Sequence, residues 1–237
     1  MPPGHISALF IKDANLLDKQ NLWDVLIEAK KQNAYLIWNH PGWEAQLTNN
    51  QIKWHDYHTN MLKYFLLDGI EISNHKSFYK EAFKWAEEKG LAILASSDLH
   101  LKSSESFPST KNFKRPYTLI ISKDKSIESI RKSLNNNQVV AFFNDTFFCL
   151  NDEAANIFIN KNIQIVSQID KFQIVNKSTY SFTFIKSDLI DTLVLNGQGS
   201  VYVNSDEVFF ISNFIVGEKV KYYINLKNDN NSTFEIK

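Results

Sequence analysis

The 237-residue chain is 43% hydrophobic and 22% charged with a formal net charge of zero, a globular composition with enough apolar material for one or two cored domains. That balance gives no electrostatic footprint for nucleic acid or an anionic membrane surface, and a single cysteine, Cys149, excludes an intramolecular disulfide and a cysteine-based zinc site. No apolar run approaches the ~18 residues of a membrane-spanning helix, and MPPGHISALF lacks the basic-then-apolar pattern of a signal peptide.

In chain order, HISALFI (5–11) reads as a first strand, beginning unusually close to Met1. NLWDVLIEAKKQN (21–33) places Leu22, Val25, Leu26 and Ala29 on one helical stripe. AYLIWNHPGW (34–43) reads as a strand entering a turn, WHDYHTNMLKYFLL (54–67) as a helix and GIEISN (69–74) as a short strand. SFYKEAFKWAEEKG (77–90) has helical spacing and closes on Gly90, a natural residue just past a helix end. LAILASSDLH (91–100) is a strand with its outgoing loop. The Ser-rich stretch KSSESFPST (102–110), a strand at PYTLIIS and a helix at SIESIRKSLNNN follow. Such alternation predicts a mainly parallel α/β sheet or barrel, in which functional groups collect at the carboxyl ends of the strands. His40, Asn74, Asp98 and His100 all fall at or just past such ends.

Beyond residue 150 the pattern changes to short alternating runs such as TYSFTFIKS, GSVYVNS and KVKYYINL, separated by Asn, Gly, Ser and Asp. The expected organisation is an α/β portion over 1–150 and a small, antiparallel, sandwich-like β domain over 151–237. NDEAANIFIN (151–160) reads as a short helix at the junction.

The polar residues at strand ends carry the candidate chemistry. His40 precedes a proline, which biases it toward extended backbone, and Gly42 permits a sharp turn. The ring is displayed at a strand end, as a ligand or as a partner for a backbone carbonyl. Asp98 and His100 are two apart, so on an extended segment they share a face. The pair suits Zn, Mn or Fe; otherwise Asp98 caps a turn and His100 is solvated. His5 opens the first strand, as a ligand or an exposed terminal histidine. Glu71 reads as an orienting group, a ligand or a strand-end acid. His55 and His58 share a helical face, expected to be solvated and flanked by Trp54, and His75 sits in a turn with no assigned role. The sequence has no glycine-rich phosphate loop and no G-x-S-x-G elbow, and Cys149 has no neighbouring histidine. Nucleotide-loop enzymes and nucleophilic hydrolases are therefore disfavoured. A His/Asp set with metal-ligand chemistry remains.

GH opening a strand, NHPGW, GIEISN and SSDLH, in this order on alternating strands, resemble the PHP (polymerase and histidinol phosphatase) superfamily. The likeness is nearest to bacterial PHP-domain phosphoesterases with a small C-terminal β domain, and KRPYTLIISKDKSIESIRKSLNNNQVVAFFND extends it over roughly residues 1–150. The resemblance implies a distorted (β/α)7 TIM-like barrel with two or three divalent ions (Zn, Mn or Fe) at the carboxyl ends of its strands. It implies metal ligands at His5, His40, Asp98 and His100, with His40, Asp98 and His100 as the catalytic set. Glu71 and Asn74 match a strand-end pattern and not the ligand positions. Relatives also carry an opening HxH motif, a further histidine and a bridging glutamate, whereas this sequence begins four residues before His5. A partial barrel lacking its first strands is therefore expected, with an open edge that invites self-association. The implied function is metal-dependent hydrolysis of a small phosphorylated substrate. The alternative is a non-catalytic remnant, a binding or assembly module with an incomplete metal site. Relatives often look exported, while the sequence as given carries no export signal and would stay in the cytoplasm.

Overall fold

The structure is a computed structural model that describes residues 4–108, 113–168, 171–188, 191–204, 207–218, 220–226 and 233–236. Several of the helices form where an apolar stripe coincides with a capping side chain. In α1 (Leu22–Lys31) the Asn21 side chain accepts from the Trp23 N–H, and Leu26 and Ala29 are buried. α2 (Asp56–Lys63) follows, and α3 (Lys80–Lys89) ends as expected on Gly90 at φ +68°. α4 (Ser103–Ser106) is a single turn in the Ser-rich stretch. α5 (Ile127–Asn135) and α6 (Asp152–Asn162) begin under the side-chain caps of Ser126 and Asn151. No helix among the described residues is long and apolar enough to cross a membrane.

β1 (Ile6–Leu9), β2 (Tyr35–Trp38), β3 (Gly69–Asn74), β4 (Ser77–Phe78) and β5 (Ala92–Ser96) form a five-stranded sheet curled into a half-barrel. β2, β3 and β5 run parallel, as alternation predicts. β1 is antiparallel to β2, with Ile6 opposite Trp38. The start of β1 therefore lies beside the end of β2. Trp38 anchors this sheet against the helices, stacking on His58 at 3.6 Å and on Trp85 at 6.0 Å between ring centroids.

β6 (Tyr117–Ile120), β7 (Val139–Phe143) and β8 (Thr146–Cys149) precede β9 (Ile163–Ser167), β10 (Lys171–Asn176), β11 (Phe182–Lys186) and β12 (Thr192–Leu195). β13 (Ser200–Asn204), β14 (Val208–Val216), β15 (Val220–Asn225) and β16 (Thr233–Ile236) complete the described chain. β9, β10 and β13 make a three-stranded antiparallel sheet. The remaining eight form one sheet that runs through residue 150 without a break, because β8 pairs in parallel with β14. Alternation along β7 and β8 makes this join possible. Val139, Ala141 and Phe148 pack into the first core, while Val140, Phe142, Phe147 and Cys149 pack into the second. One ribbon thus serves two cores, and the chain after β8 packs mainly on the second, with Leu150 and Ile215 against the first.

Candidate metal centre at the sheet rim

The candidate residues meet at one rim because of strand direction. Parallel β2, β3 and β5 deliver His40, Asn74 and Asp98 at their carboxyl ends, and antiparallel β1 delivers His5 from its start. The Asn39 N–H donates to the His5 carbonyl at 2.9 Å, extending the β1–β2 ladder by one step. The two imidazoles follow it. His5 Nδ1 and His40 Nε2 are 3.1 Å apart, and the rings cross edge to face at 4.9 Å. The Trp43 indole lies 5.4 Å from each ring.

Glu71 sets this corner. Only 6% exposed, its carboxylate accepts from the His40 N–H (2.7 Å), the Asn74 side-chain amide (2.9 Å) and the Ser96 hydroxyl (2.5 Å). One buried acid therefore ties together the ends of three adjacent strands. Of the roles open in the sequence, the orienting one is realised, and Asn74 belongs to the same network. His40 itself leaves the strand at φ +30°, a left-handed conformation that a non-glycine residue adopts only when its surroundings hold it there. The Glu71 hydrogen bond supplies that hold. Gly42 has a reason other than a sharp turn: a Cβ there would lie 2.4 Å from the Tyr79 ring.

A chain of hydrogen bonds fixes the His40 tautomer. The Trp38 indole N–H, which can only donate, gives its proton to Gln46 Oε1 at 3.1 Å. The Gln46 amide must then present N–H to His40 Nδ1 at 2.8 Å. His40 Nδ1 is thus an acceptor, and in the neutral ring the proton rests on Nε2, facing His5, an assignment made from the network.

Asp98 and His100 line a pocket of about 500 Å³ together with His40. β5 ends at Ser96, and Asp98 turns the chain at φ +46°. The extended geometry expected for SSDLH is absent. The pair stays adjacent because His100 Nδ1 bonds the Asp98 carbonyl at 3.0 Å, with 4.0 Å to its carboxylate. Their side chains are 40% and 83% exposed for Asp98 and His100 respectively.

The same pocket holds Tyr79 and His75, which residue types in the sequence did not single out as site residues. Burial, then the charges of Glu71 and Asp98, push the Tyr79 phenol up to about 12, so it is a hydrogen-bond donor at neutral pH. His55 and His58 contribute nothing to the rim. The solvated face expected for them is corrected by the structure: His58 is fully buried between Trp38 and Trp54, its Nδ1 accepting from the His55 N–H. Cys149 is buried, and burial pushes its thiol up to about 11, which leaves it unreactive.

Two imidazole nitrogens on one tetrahedral ion stand about 3.3 Å apart, so the 3.1 Å His5–His40 spacing matches such a pair. The donor types fit a divalent transition ion. The set does not complete a site: among the described residues no three His, Cys, Asp or Glu side chains come together as a metal-binding group. The Gln46 amide also favours the tautomer that places a proton, not a lone pair, on His40 Nε2.

No family model and no curated protein matches the chain. Among solved structures, it is similar to a two-domain protein from Bacteroides vulgatus containing a predicted PHP-like metal-dependent phosphoesterase. The TM-score is 0.82 and the identity 25%, over 100% of this chain and 72% of that one. The likeness supports a PHP-type domain with a further domain. In this chain the curled sheet carries the rim, and the later strands join the eight-stranded sheet through β8 and β14.

Proposed function

We propose that the chain belongs to a metal-dependent phosphoester hydrolase of the PHP type, acting on a small phosphorylated substrate. His5, His40, Asp98 and His100 would be donors to divalent ions (Zn, Mn or Fe). The observation that carries the reading is the convergence of His5 on His40, which lines a rim pocket together with Asp98 and His100. The PHP-like neighbour supports it. When bound, such ions neutralise phosphate oxygens and lower the pKa of a water. The chain's own residues have separate tasks. Glu71 holds His40 in place, Tyr79 offers a phenolic proton to an anion in the pocket, and Asp98 or His100 accepts or returns a proton at its wall. A distorted (β/α)7 barrel around the curled sheet and a sandwich-like arrangement of the later strands belong to the same proposal. So does association between copies through the sheet edge.

A second reading has its own support. The ring nitrogens of His40 are engaged by Gln46 and His5, as a structural network would use them, and a metal site needs at least one more protein donor at that corner. A non-catalytic binding or assembly module is the consequence. Metal analysis and turnover of an aryl phosphate by the purified chain, beside a His40→Ala/His100→Ala version, separate the two. Bound metal and turnover, both lost in the double variant, are expected for the hydrolase. A wild-type chain with neither establishes the module.

A further inference from the structure

A second groove, of about 770 Å³, opens beside the rim, with Tyr117, Phe142 and Tyr180 of the second core in its lining. Its lining combines flat rings with positive charge. Phe107 and Phe113 stack at 6.1 Å with 23° between planes, and Tyr117 and Phe142 stack at 4.8 Å with 21°. Tyr180, from the turn before β11, closes on Phe142 at 6.1 Å. Lys114 is held by Asp145 at 2.5 Å. Arg115, also in the lining, is exposed and has no hydrogen bond or ion pair with any described residue. Lys76 lies over the outer part of this wall, 5.9 Å from the Phe107 ring.

A guanidinium with no ion pair among the described residues, beside stacked rings, matches one kind of ligand. The rings stack on a flat apolar group, and the fork of Arg115 pairs with a phosphate or carboxylate. The groove lies next to the rim pocket. His75 lines the first, Phe107 lines the second, and their rings meet at 5.3 Å.

We propose that this groove binds a planar aromatic anion, its ring against the stacked aromatics and its phosphate or carboxylate on Arg115. The strands after residue 150 then have a direct role, because Thr179 and Tyr180 line the same groove as Arg115.

The test is equilibrium binding of 1-naphthyl phosphate to the full chain in the presence of a chelator, compared with inorganic phosphate and 1-naphthol. Naphthyl phosphate should bind at least about tenfold tighter than either fragment, since ring stacking and a charge-assisted pair each contribute that order. Arg115→Gln, an exposed substitution, should reduce its affinity to about that of naphthol, and Phe113→Leu should weaken it severalfold. His40→Ala/His100→Ala should leave this metal-free binding unchanged, so loss of the hydrolase reading shows in metal content and turnover, while loss of the groove shows here. Naphthyl phosphate bound no better than inorganic phosphate, or bound equally by wild type and Arg115→Gln, overturns the proposal.

Discussion

The two walls of the rim pocket hold the same residue types under opposite conditions. At the His40 wall His40, Glu71 and Asn74 are buried and hydrogen-bonded, with only His5 exposed beside them; at the Asp98 wall both side chains are exposed, and the close hydrogen bond there runs from His100 to the Asp98 carbonyl. The first is a rigid corner whose geometry and tautomer are set by neighbours. The second is free to move its side chains toward an incoming group. A pocket built this way fixes one end of its chemistry and leaves the other adaptable, and substitutions should report that asymmetry.

The largest effect is expected at Glu71. Glu71→Ala removes the acceptor shared by His40, Asn74 and Ser96, and leaving these donors without it should cost about 3 kcal/mol or more. Thermal unfolding should move down by several degrees, and an unchanged midpoint would mean the three strand ends hold each other without the acid. Gln46→Glu sharpens the contrast from the ligand side. A carboxylate accepts from His40 Nδ1–H and frees Nε2 as a lone pair, so zinc or manganese affinity should rise by about 10-fold or more in a calorimetric titration. Equal affinity in both proteins would show that His40 Nε2 is not a donor.

Tyr79 stands between the walls and senses both. Its phenol is raised to about 12 by burial first, then Glu71, with Asp98 the smaller charge. The folded pKa exceeds the unfolded 10.0, so its contribution to stability is complete below pH 10 and is lost as pH rises toward 12. Difference absorbance of the phenolate should show Glu71→Gln lowering the midpoint more than Asp98→Asn; the reverse order would place Asp98 closer in effect than the structure does. The smallest effect belongs to His100. With its side chain 83% exposed, His100→Ala should change unfolding free energy by less than about 0.5 kcal/mol, and a larger loss would show that the exposed wall is braced after all.

Much of the scaffold was legible because it is local. The apolar stripe of α1 and Gly90 at the end of α3 are set within a few residues and appear where the sequence places them, and the Asn21, Ser126 and Asn151 caps are equally local. The parallel core of β2, β3 and β5 also follows from alternation. His58 shows the limit: helical spacing put it beside His55, but spacing does not say which face meets Trp38 and Trp54, and the residue is buried. SSDLH shows another. Its two-residue spacing implies a shared face only while the backbone stays extended, and Asp98 leaves that conformation at φ +46°.

By itself the sequence determined the donor types, their order, and their positions at strand ends. It also carried the PHP resemblance, because motifs and periodicity are properties of neighbouring residues. Tertiary structure alone decided that β1 runs against β2 and so brings His5 to His40, 35 residues away in sequence. It also decided that Gln46 and Trp38 choose a ring tautomer, and that β7 and β8 face two cores at once. These outcomes depend on strand direction, on which lone pair meets which proton, and on what packs against each side of a ribbon. Such relations exist only once distant segments have been brought together.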